Sequence, residues 1–166
     1  MYRKYTQALT LIELLAVMVI ILIIAGMFVG VSGPASKSAK KRKAEVMISA
    51  LEVAIGMYKA DTGLYPPSDT ADGIGTTAKL NDYLSTGGTN SGVTPATGWS
   101  GPYMEFKQGD ISQTNWTIID PWGNSYLYDP KTTTHTPTHN TASFDLWSTG
   151  PGGTDANGTI YKLNNW

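Results

Sequence analysis

Cysteine is absent from all 166 residues. That excludes a disulfide framework, a thiol nucleophile, a thiolate zinc site and an iron-sulfur cluster, whatever the redox compartment. Acidic side chains are almost missing from the first 43 positions, where Glu13 stands against Arg3, Lys4, Lys37, Lys40, Lys41, Arg42 and Lys43, a balance of +6. Residues 44–166 reverse this, with five basic and twelve acidic residues, or −7. An acidic body repels phosphate, so no nucleic-acid partner is expected, whereas a basic start suits a membrane surface. Also missing are a G-x-S-x-G elbow, a phosphate-binding loop, an H-E-x-x-H pair and a dinucleotide fingerprint, and the carboxylates follow no paired pattern, which argues against an enzyme. The two histidines, His135 and His139, sit four apart in a Thr/Pro stretch with no third ligand, and read as an exposed polar loop rather than a zinc site.

What is present begins with Leu9 to Val31, LTLIELLAVMVIILIIAGMFVGV, whose only charge is Glu13. As a helix this run reaches roughly 35 Å at about 1.5 Å per residue, enough to cross a hydrocarbon core of about 30 Å. It is too long for the apolar region of a cleaved secretory signal, and longer than a core helix of a soluble protein. Charge counting alone is at odds with export, because more basic residues follow the run than precede it. A carboxylate inside such a helix costs on the order of 2.5–3.5 kcal/mol if central, so Glu13 either snorkels to the membrane edge or meets a cationic partner.

The leader MYRKYTQA followed by LTLIELLAVMVIILIIAG resembles the prepilin signal of type IV pilins and type II secretion pseudopilins. The resemblance implies that prepilin peptidase cuts between Ala8 and Leu9, that Leu9 is then N-methylated, and that Glu13 becomes the fifth residue of the mature chain, pairing with the amino terminus of a neighbouring subunit. The family prefers Gly before the cut and Phe after it, where this chain has Ala8 and Leu9. It keeps the leader in the cytoplasm and exports the rest, which places the basic cluster 37–43 outside the membrane, near lipid phosphates or as a solvated helix face.

Gly26, Gly30, Gly33 and Pro34 suggest a kink or a locally melted stretch at the end of the run. Helix resumes from Ala35 to Ala60, where Val46, Ile48, Leu51, Ile55 and Tyr58 mark an apolar stripe suited to lying on a sheet more than to a coiled coil, and Asp61, Thr62 and Gly63 end it. Beyond residue 63 no helix is expected. Candidate strands are 103–107, 116–119, 125–128, 143–147 and 159–163, with surface loops at 86–98 and 131–139. Asp120-Pro121-Trp122-Gly123 reads as a structural type I turn, and Tyr65, Trp122, Tyr126 and Trp147 as packing residues.

The ordered phrases YKADTGLYP, GPYM, DPWGN, FDLWSTGPGG and NNW resemble the major pseudopilins of type II secretion systems and cover most of the chain outside 68–98 and 131–142. This likeness implies an α+β, type IV pilin-like fold: a long N-terminal helix, half in the membrane, packed on a small antiparallel sheet with long loops. It divides the chain into a leader (1–8), a transmembrane and filament-core helix (9–34) and a periplasmic globular domain (35–166). It further implies a single-pass protein of the bacterial inner membrane that assembles into a homo-oligomeric helical filament, with minor pseudopilins, the inner-membrane assembly platform and prepilin peptidase as partners. Family members bind calcium after the FDLWSTGP segment; here the backbone oxygen of Thr149 with Asp155, Asn157 and Thr159 are the candidate ligands, Asp145 a weaker one, and Gly152 stands where an Asp is usual. The competing reading of that loop is an ordinary Asx turn. Two other functions fit the leader and the small domain: a type IV pilin of an adhesion, motility or DNA-uptake filament, and an uncleaved anchor displaying a binding module.

Overall fold

Apolar residues spaced at helical intervals early in the chain give long helices, and turn formers afterwards give short elements. The computed structural model describes residues 10–29, 32–70, 74–92, 94–155, 158–159 and 163–166. The chain forms two units, Met1–Ala39 and Lys40–Trp166. The first contains helix α1 (Leu11–Val29) and the start of helix α2 (Ser32–Thr62). α1 stays helical through Gly26; Gly30, in the expected bend, lies outside the described residues. Pro34 falls in the first turn of α2, where a missing N–H forfeits no helical bond.

In the second unit α2 buries Ala44, Ile48, Leu51, Ile55 and Tyr58, a stripe alternating steps of four and three, with Ala54 beside it. Val46, expected on this face, is 68% exposed. It lies two residues before Ile48, and two steps of about 100° carry it to the far side of the helix. The helix stops at Gly63, whose φ of +79° and N–H bond to the Lys59 carbonyl (2.9 Å) form a left-handed cap.

Three short strands make an antiparallel sheet in the order β1 (Gly75–Thr76), β2 (Leu127–Pro130), β3 (Phe144–Trp147). Its inner face gives Tyr128 and Leu146 to a core completed by the α2 stripe, Ile118, Tyr126, Phe144 and Leu163. The α+β arrangement is the expected one, a long helix on a small antiparallel sheet. Two of the anticipated strands, 125–128 and 143–147, overlap β2 and β3, while 116–119 makes only isolated bridges from Ile118 and Ile119. No strand forms at 103–107, because Tyr103 donates its N–H to the Leu84 carbonyl (2.8 Å) and packs its ring against Tyr58 and Trp99. Most of 159–163 lies outside the described residues.

Helix does occur beyond residue 63, contrary to expectation: α3 spans Ala78–Ser85. Leu80, Tyr83 and Leu84 supply the i, i+3, i+4 contacts that hold it on the core despite its Thr- and Gly-rich surroundings. The following stretch, read as a surface loop, turns at Gly87, where a side chain would meet Pro95 and Trp99 at 3.0 Å. Trp99 is fixed in turn by its Nε1–H bond to the Tyr83 carbonyl (3.2 Å).

Candidate functional site

The start of α1 is built by Thr10 and Glu13. The Thr10 N–H (2.8 Å) and hydroxyl (2.9 Å) both donate to Glu13 Oε2, while the Glu13 N–H reaches Thr10 Oγ1 at 3.3 Å. This is a reciprocal capping box, and the Thr-x-x-Glu spacing ahead of an apolar run is the sequence signal that announces it. Among the described residues Glu13 Oε1 accepts no bond. The large apolar side chains from Leu11 to Ile24 are all exposed, Val19 least at 46%. Among the described residues no helix is long and apolar enough to cross a membrane; the side chains described in α1 end at Gly26, after roughly 24 Å at about 1.5 Å per residue. Ala8 and Leu9, the expected cleavage and methylation positions, lie outside the described residues.

A second constellation joins the Asp120 turn to the end of β3. The Gly123 N–H closes the turn onto the Asp120 carbonyl (3.0 Å). Asp120 is buried, and its carboxylate accepts the N–H groups of Trp122 and Asn124 (both 2.9 Å) and the Ser148 hydroxyl (2.6 Å). The Asn124 amide donates onward to the Gly150 carbonyl at 2.7 Å, anchoring the loop that follows. In that loop the Asp155 N–H bonds the Thr149 carbonyl (2.9 Å), and Asp155 Oδ1 accepts the Thr159 N–H (3.0 Å). Three of the four expected calcium ligands are thus drawn together, with Asp155 buried and Thr159 exposed; Asn157 lies outside the described residues. The Gly158 N–H also closes onto the Asp155 carbonyl (3.2 Å), so Asp155 heads a backbone turn whose end its carboxylate caps, and the oxygens are hard ones of the kind calcium takes. Among the described residues no three His, Asp or Glu side chains converge to hold a metal.

Sequence reasoning missed a third cluster. Asp129 and Asp145 are register partners on β2 and β3, on the sheet face opposite Tyr128 and Leu146, and both are buried. Two carboxylates facing each other across strands repel, and the 131–142 loop answers with one imidazole for each. His135 Nε2 lies 2.7 Å from Asp129 Oδ1, and His139 Nδ1 lies 3.1 Å from Asp145 Oδ2. Asp145 also takes the N–H groups of His139 (2.9 Å) and Asn140 (2.7 Å), so it belongs to this cluster and not to the Asp155 loop. The His139 ring stacks on Trp166 with centroids 4.0 Å apart. Burial pushes the Asp129 carboxyl up, and the His135 hydrogen bond and charge pull it partly back. The histidine loop is therefore an integral cover of the outer sheet face, not a free polar loop.

Comparison with known proteins bears on both ends of the chain. The family described as type II secretion system (T2SS), protein G matches residues 33–166. The prokaryotic N-terminal methylation motif matches residues 3–29. The chain is 29% identical over 169 residues to the type II secretion system core protein G of Pseudomonas aeruginosa, an alignment covering 99% of this chain and 100% of that protein. No solved structure matches the chain.

Proposed function

The chain belongs to the type II secretion system protein G family, and from that premise we infer that it is a structural subunit of the secretion pseudopilus, processed by prepilin peptidase. The observation that carries this is the union, in one chain, of the methylation motif over 3–29 with the family domain over 33–166. A surface-pilus role and an uncleaved binding module are not favoured.

The finer assignments rest on residue chemistry. Cleavage falls between Ala8 and Leu9, and Leu9 carries the methylated amino group. Glu13 pairs with that amino group on a neighbouring subunit, a reading supported by the capping box, which occupies only Oε2 and leaves Oε1 for it. A misplaced subunit leaves a desolvated charge without its partner, which sets register. Residues 9–34 form the filament core in and above the inner membrane, residues 35–166 face the periplasm, and minor pseudopilins with the assembly platform are the partners. In the loop after β3, the Thr149 carbonyl, Asp155, Asn157 and Thr159 are the residues to hold calcium. Calcium, when bound, supplies a divalent charge that ties the loop together. With Gly152 in place of an acid the ligand set carries one carboxylate, so binding belongs in the weak class of about 10⁻⁴–10⁻³ M.

The deciding experiment is intact mass and N-terminal sequencing of the full chain extracted from a host containing prepilin peptidase. Loss of residues 1–8 with a methylated Leu9 is the expected result; an intact Met1, in a host that processes a control prepilin, overturns the cleavage assignment. Glu13→Ala is expected to abolish filament assembly while leaving membrane insertion intact, and normal assembly by that variant removes the pairing role. Millimolar calcium should raise the melting temperature of the wild type and not of Asp155→Asn.

A further inference from the structure

A cleft of about 490 Å³ opens beside α3, outside the three sites described above, and its walls include Lys79, Asn81, Asp82, Asn90, Asn115 and Trp116. Its volume lies within the range of small-ligand sites. Trp116 is 60% exposed, and among the described residues its indole has no ring partner and no hydrogen bond. It is also the one described non-glycine residue with a positive φ, +59°. A bulky residue in that region persists only when its surroundings hold it there.

The surroundings do so. The Trp116 N–H bonds the Ser112 carbonyl (2.9 Å), the Ser112 N–H bonds the Thr117 carbonyl (2.9 Å), and the Asn81 amide donates across from α3 to the Trp116 carbonyl (3.1 Å). Asn115 is fixed by the Thr117 hydroxyl on its Oδ1 (2.9 Å), which leaves its NH₂ group with no partner among the described residues. Asp82 Oδ1 accepts the Asn90 backbone N–H at 3.3 Å, and the Asn90 side chain, also in the lining, is exposed. The result is a cleft lined by an exposed indole on a fixed backbone, together with amide and ammonium donors, amide acceptors and the Asp82 carboxylate.

We propose that this cleft binds a saccharide, with one pyranose ring laid on the Trp116 indole and its hydroxyls shared among Asn81, Asn90, Asn115 and Lys79. A sugar presents an apolar C–H face and a rim of hydroxyls that both donate and accept, and the cleft offers the complement of each. A contact with another protein suits the site less well, since interface centres are depleted in Lys and Asp and this one is lined by both. The proposal does not depend on the pseudopilus reading, and either stands if the other fails.

The test titrates the full chain, in a detergent without sugar headgroups, with N-acetylchitotriose, cellotriose and maltotriose by calorimetry. Saturable binding of at least one is expected, weakened roughly tenfold or more in Trp116→Ala and in Asn115→Ala. Both positions are exposed, and melting temperatures near wild type certify that the variants fold. No binding of any of the three up to about 10 mM overturns the proposal, as does binding that survives Trp116→Ala. If no sugar binds and Trp116→Ala instead blocks filament assembly, the cleft is a contact between copies of this chain and the saccharide assignment falls.

Discussion

Replacing Asp120 by Ala removes the acceptor that ties the turn to β3. Its carboxylate, 3% exposed, serves the N–H groups of Trp122 and Asn124 and the hydroxyl of Ser148. Ser148 is fully buried, so its hydroxyl loses its acceptor with no access to water, a cost of about 1–3 kcal/mol. Trp122 is only partly buried and the turn can hydrate in part, so its two N–H groups together add about 2 kcal/mol. A total of about 3–5 kcal/mol corresponds to a fall of roughly 10–20 °C in melting temperature for a unit of this size. Near-ultraviolet circular dichroism of the full chain during heating reads that fall. Ser148→Ala alone should cost about 1 kcal/mol, and the double variant should cost less than the two singles added, because both delete the same 2.6 Å bond. An Asp120→Ala loss below about 1 kcal/mol, or strict additivity with Ser148→Ala, refutes the reasoning.

Three further outcomes follow from the geometry. Because burial raises Asp129 above its ordinary value of 3.8, the folded protein binds the proton more tightly than the unfolded chain, and this group's contribution to stability falls as pH rises from 3.8 through the raised value; Asp129→Asn should flatten the melting temperature over that window, and coincident wild-type and variant slopes contradict it. Thr10→Val breaks the capping box and should speed amide exchange at residues 11–14, with about 1 kcal/mol lost from the helix start, while unchanged protection there counts against the box. Gly98 has φ of +90° and an added Cβ runs into the Asp61 carbonyl, so Gly98→Ala should destabilise by about 2 kcal/mol or more in urea unfolding; a neutral result means that the backbone shifts freely.

The apolar run and the α2 stripe were legible because helical spacing is local, and even the misplaced Val46 is a matter of two residues around one helix. The Asp120 turn was legible for the same reason, since all its backbone bonds fall within five residues. α3 was not, because its three apolar contacts sit among Thr and Gly whose propensities point elsewhere, and only the core decides the matter. Nor was the His135–Asp129 and His139–Asp145 cluster: the histidine spacing is visible in sequence, but Asp129 and Asp145 become neighbours only through the β2–β3 register. Trp116 looked like one end of a strand; its carbonyl is instead held by a bond from Asn81, 35 residues away in sequence.

The last residues run antiparallel along the outer edge of β3. Asn165 donates its N–H to the Leu146 carbonyl (3.1 Å), accepts the Leu146 N–H on its side chain (2.8 Å) and gives its amide to Phe144 (3.0 Å), while Asn164 bridges Trp147. The opposite edge is β1, two residues long. A sheet with one side sealed by its own tail and the other too short to template a strand offers little to an incoming chain through strand addition. Association through strand addition is thereby disfavoured, and 40–166 units brought close together carry little risk of collapse into cross-strand aggregates. Trimming residues 164–166 would bare the outer edge of β3 and remove that safeguard, while leaving the core residue Leu163 in place.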